Sequence, residues 1–66
     1  MASVAEALQE YIQYVRDELL PEYDAIPQGV FAATFIRQDL DKAVKALAEG
    51  DSIACINCLQ TLKEYS

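Results

Sequence analysis

The stretch Ala46-Leu47-Ala48-Glu49-Gly50-Asp51-Ser52-Ile53-Ala54 decides the fold. A periodic apolar run closes at Glu49, a glycine follows, and an aspartate stands directly before a second apolar run. Gly50 is placed as the left-handed residue that ends a helix, where a Cβ would be crowded. Asp51 is placed as an N-cap, its carboxylate able to accept from an orphan amide of the next helix. A helix, one glycine and an acidic cap predict a tight antiparallel helical hairpin. The turn is similar to those of helical-hairpin repeats, although the chain holds no second copy of a repeat.

Working outward, the helix before this turn is expected over about 28–49. Its main stripe is Val30, Ala33, Ile36, Leu40, Ala43, Val44 and Leu47, with Phe31 and Phe35 one turn apart on the flank. The segment from Val30 to Ile36 is apolar nearly all round, and such a helix needs cover on more than one side. Beyond Arg37 the pattern becomes amphipathic, with Asp41 and Lys45 spaced four apart as a surface pair. The helix after the turn is expected over about 52–65 and carries Ile53, Cys55, Ile56, Cys58, Leu59 and Leu62.

Towards the N-terminus, Ser3 and Glu6 have capping-box spacing, so a first helix is expected over about 4–20. Val4, Leu8, Tyr11, Ile12, Val15 and Leu19 recur in steps of three and four and form its apolar stripe. Pro21 disfavours a helical conformation at Leu20. Residues 21–27, with a proline at each end, are therefore expected to be a connector, with room for one helical turn that has Pro21 at its first position. Pro27 suits the first turn of the following helix, where a missing N–H costs nothing. The expected architecture is one small all-α domain over residues 1–66 with three helices, packing as a homodimer.

Composition restricts what such a domain does. The chain has 66 residues, 53% of them hydrophobic, and eleven acids against five bases give a net charge of −6. A domain of this size buries only about 60% of the surface its unfolded chain exposes, so a second copy or a partner is expected to complete the core. No histidine is present, which removes the usual proton shuttle, the commonest transition-metal ligand and every Ser-His or Cys-His nucleophile pair. Two glycines cannot build a phosphate-binding loop. An enzyme is not expected, and no cofactor is called for. The negative charge repels nucleic-acid phosphates and anionic membrane surfaces. No signal peptide or membrane-length apolar run is recognisable, so a soluble, cytoplasmic protein is the expectation.

Three features are candidates for a role. Cys55-Ile56-Asn57-Cys58 has the CxxC spacing, but it follows no strand and lies inside a helix, past the position that would activate a thiol. As a zinc site it supplies two of four ligands and would need a second chain. Small apolar core residues are the simpler reading, and no metal site is assigned. Residues 1–27 hold Glu6, Glu10, Asp17, Glu18, Glu22 and Asp24 against Arg16 alone, a balance of −5. This acidic front either steers a basic partner into place or keeps a sticky protein in solution. Four tyrosines and two phenylalanines exceed what a three-helix core of this size needs, and tyrosine is enriched at interfaces. The expected partner-binding residues are Tyr14, Tyr23, Val30, Phe31, Phe35, Asp17, Glu18, Glu22 and Asp24.

The run Leu19-Leu20-Pro21-Glu22-Tyr23-Asp24-Ala25-Ile26-Pro27-Gln28-Gly29-Val30-Phe31, with the helical hairpin behind it, resembles the short helical proteins of bacteriophage early regions, lambdoid phages among them. The resemblance implies a phage product that acts on host machinery through protein contacts, often as a homo-oligomer. The leading expectation is an acidic helical adaptor, regulator or inhibitor that covers a partner surface. A helix-turn-helix-like nucleic-acid regulator is the alternative, weakened because the last helix offers Asn57, Gln60, Thr61 and Lys63 but no arginine. A CxxC redox or metal protein is the remaining one.

Overall fold

A computed structural model describes residues 3–65. The fold is all-α, and no strand occurs among the described residues. Helix α1 spans Val4–Tyr14, a π-helical turn spans Val15–Leu19, and helix α2 spans Leu20–Asp24. A 3-10 turn at Pro27–Gly29 leads into α3, Val30–Glu49, and α4 spans Ser52–Lys63. Among the described residues no helix is long and apolar enough to cross a membrane.

The ends of the helices follow local chemistry. Ser3 Oγ accepts from the Glu6 amide at 3.1 Å and starts α1. Gly50 adopts φ 68°, ψ 26°. Its amide donates to the Leu47 carbonyl while that of Asp51 donates to the Ala46 carbonyl, both at 3.2 Å, so two orphan carbonyls of α3 are satisfied. The Asp51 carboxylate accepts from the Ala54 amide at 3.1 Å and opens α4.

The segment expected as a connector over 21–27 does hold one helical turn with Pro21 near its start, but no break precedes it. The chain stays helical as far as Asp24, and Leu20 has helical angles despite preceding proline. The π-turn supplies the reason. The Leu20 amide donates to the Val15 carbonyl, five residues back. Proline has no N–H to offer the carbonyl four residues back and its ring crowds that carbonyl; a turn widened by one residue just before it relieves the misfit. The break comes at Ile26, extended at φ −107°, ψ 124° before Pro27, as the residue preceding a proline prefers.

Leu8 and Ile12 of α1, Val15 and Leu19 of the π-turn, Ile36, Leu40, Ala43 and Ala46 of α3, and Cys55 and Leu62 of α4 form one buried cluster. Helix α4 packs against both α1 and α3, and α2 packs against α3. Leu8, Val15, Ile36 and Leu62 are fully enclosed, each contributing roughly 1.5–3 kcal/mol. Four members of the expected apolar rows lie outside the core: Val30 and Val44 at the edge of the α3 stripe, and Ile53 and Ile56 together on the outer side of α4. The expected Asp41–Lys45 pair does not form; Arg37 instead reaches Asp24 at 2.6 Å.

Two contacts fix α2 in place. The Tyr23 hydroxyl donates to the Tyr65 backbone carbonyl at 3.2 Å. Gly29 is buried, and a Cβ there would stand 2.3 Å from the Tyr23 carbonyl oxygen. Only glycine permits so close an approach between the start of α3 and the end of α2.

Candidate functional site

Two surfaces near the α2–α3 corner depart from what the fold requires. The first is apolar. Phe31 is 79% exposed, Phe35 58% and Val30 57%, with Ile26 exposed beside the same corner. Phe31 and Phe35 lie on the side of α3 away from Ala33, Ile36 and Leu40, with Val30 at the edge between the two sides. Residues 25–36 contain no charged side chain. The cover that the all-round apolar pattern calls for is not supplied by the described residues.

The second surface is a cleft of about 380 Å³ lined by Tyr14, Leu19, Glu22, Tyr23, Ile26 and Tyr65. The added turns of helix past Pro21 create it, because they carry Glu22 and Tyr23 back towards the C-terminal end of α4. The Tyr65 hydroxyl donates to the Asp39 carboxylate. Burial, then this hydrogen bond and the negative charge of Asp39, push the Tyr65 phenol up to about 12, so its ring stays neutral at physiological pH. Tyr14 stands edge-on to Tyr11, with ring centroids 5.5 Å apart.

Tyr14 also borders a shallower groove lined by Glu10, Gln13, Asp17 and Glu18. No basic side chain lines either depression. Of the expected partner-binding residues, Tyr14, Tyr23 and Glu22 meet in the cleft, Asp17 and Glu18 lie in the adjoining groove, and Val30, Phe31 and Phe35 form the apolar face. Asp24 sits apart, engaged by Arg37. Tyr65, Ile26 and Glu10 are additional to that set; the surplus of tyrosines in the composition is the signal that bears on Tyr65.

The CxxC pair is built as packing. Cys55 is buried, Cys58 is partly buried, and both are free thiols. They fall in the first and second turns of α4 beyond its Asp51 cap. Burial, then the neighbouring Cys55 and Asp39, raise the Cys58 thiol pKa against a smaller opposing effect of Lys42. That shift disfavours the nucleophilic thiolate. Among the described residues no three His, Cys, Asp or Glu side chains gather as a metal site. No protein-family model, curated protein or solved structure matches this chain.

Proposed function

We propose that this chain is a small acidic protein-interaction module that pairs with a second copy through the outer face of the first half of α3. It acts by contact, as an adaptor, regulator or inhibitor that covers a partner surface, and has no catalytic role. In this reading α3 and α4 form an antiparallel hairpin that presents the face rigidly. The observation that carries it is Phe31, 79% exposed next to Phe35 and Val30 in a charge-free stretch.

A contiguous apolar patch of this kind marks an interface. An aromatic side chain buries about 150–250 Å², and a stable contact needs about 800 Å² per partner. The exposed parts of the two phenylalanines, Val30 and Ile26 supply roughly half of that area, and the polar rim around them supplies the rest. A two-fold contact sets the same patch against itself. In a chain of net charge −6, residues 25–36 offer an uncharged surface over which two copies meet without opposing carboxylates. Light scattering across a micromolar to millimolar range is expected to show the mass rising from 7.3 kDa to twice that value. A constant 7.3 kDa at millimolar concentration would refute self-association.

A further inference from the structure

We propose that the tyrosine cleft receives an arginine side chain from an extended basic segment of a partner protein, whose neighbouring cations lie along the Glu10–Glu18 groove. The inference rests on reading the chain as an interaction module and adds the partner's chemistry and its site.

Three aromatic rings and one carboxylate converge on a single depression: Tyr14, Tyr23, Tyr65 and Glu22. A cation over an aromatic face is attracted by the ring quadrupole, by about 0.5–2 kcal/mol depending on desolvation. A guanidinium combines stacking on such faces with a bidentate pairing to a carboxylate, which an ammonium cannot. Glu22 makes no ion pair among the described residues, and the one that forms nearby consumes Asp24. The hydroxyls of Tyr23 and Tyr65 are both donating to protein acceptors, which holds their rings in position.

The adjoining groove argues for a protein segment over a small cation. Through Tyr14 the cleft runs on to Glu10, Asp17 and Glu18. Arg16, the one base in the first 27 residues, lines neither depression. From Glu10 to Tyr23 the helical run rises about 20 Å at about 1.5 Å per residue, the length of about six residues of extended chain at about 3.3 Å each. Alternating basic residues on such a segment would place one guanidinium between the tyrosines and others against the groove carboxylates.

The test titrates the isotope-labelled full chain with an acetylated, amidated hexapeptide of alternating arginine and serine, following the ring signals of the tyrosines. Saturable shifts of Tyr14, Tyr23 and Tyr65 are expected. Binding should weaken as salt shortens the screening length to about 8 Å. Tyr14→Leu should weaken it roughly three- to thirtyfold and the exposed Glu22→Gln roughly threefold, the latter with no expected effect on folding. A peptide with citrulline in place of arginine is expected to produce no shift. Equal binding of the citrulline peptide, unchanged affinity in Glu22→Gln and Tyr14→Leu together, or equally tight binding of single arginine amide would each overturn the proposal. A chain that stays monomeric yet binds the peptide refutes the α3 contact alone; a dimer indifferent to the peptide refutes the cleft alone.

Discussion

The two halves of α3 share one inner stripe and carry opposite outer surfaces. Ala33 and Ile36 in the first half are as deeply buried as Leu40 and Ala43 in the second. On the outside, the second half is solvated by Asp41, Lys42 and Lys45, whereas the first presents Val30, Phe31 and Phe35. Folding requires the same of both halves, and both supply it. The outer phenylalanines are therefore unexplained by the fold, and the proposed contact with a second copy would accommodate them.

The largest expected effect separates inside from outside within the first half. Ile36→Ala removes a fully enclosed side chain and should cost about 2–5 kcal/mol, a large share of the stability of a domain this small. Phe31→Ala, five residues away, should stay within about 0.5 kcal/mol under dilute, monomeric conditions. Urea denaturation of the two variants checks this; a comparable loss for Phe31→Ala would place that ring in the core.

Next come the two ends of the helix. Gly29→Ala forces a Cβ onto a backbone carbonyl, which no side-chain rotation relieves, at a cost of about 1–3 kcal/mol. Gly50→Ala meets open space and suffers only from its left-handed conformation, about 1 kcal/mol. Thermal unfolding should rank Gly29→Ala below Gly50→Ala, and the reverse order would contradict the close packing of α2 on α3.

A smaller effect concerns the closure of the cleft at Tyr65. Its phenol pKa is higher in the folded chain, about 12 against 10, so the associated stability is fully present below pH 10. It is lost as pH climbs towards 12, because the unfolded chain releases the proton first. Tyr65→Phe should flatten the fall in stability between pH 10 and 12 and abolish the late phenolate absorbance. At neutral pH it should cost about 1 kcal/mol through the lost hydrogen bond. A Tyr65→Phe curve that parallels the wild type over that alkaline range would show that Tyr65 does not hold its proton.

What was legible in the sequence was local. The Ser3 cap, the left-handed Gly50 and the Asp51 cap are each written within four residues, and the inner rows of α1 and α3 follow from periodicity. The passage through Pro21 is not of that kind: proline ends or continues a helix according to whether an earlier turn can widen, and that depends on the packing of Val15 and Leu19. The outward placement of Ile53 and Ile56 was hidden too, because α4 is apolar on several sides and sequence alone does not say which side meets α1 and α3. The cleft required a contact between residues 42 positions apart, Tyr23 and Tyr65, which no spacing rule joins. Tyr14, Tyr23 and Glu22 are separately conspicuous; their meeting is a property of the fold.

The most direct test of the central claim compares one exposed apolar residue from each half of α3. Sedimentation equilibrium should be run on the wild type, Phe31→Ser and Val44→Ser at matched concentrations, with circular dichroism confirming that all three are folded. The account predicts a dimer for the wild type and for Val44→Ser, and a 7.3 kDa monomer for Phe31→Ser. Dissociation by Val44→Ser with Phe31→Ser still dimeric would contradict it.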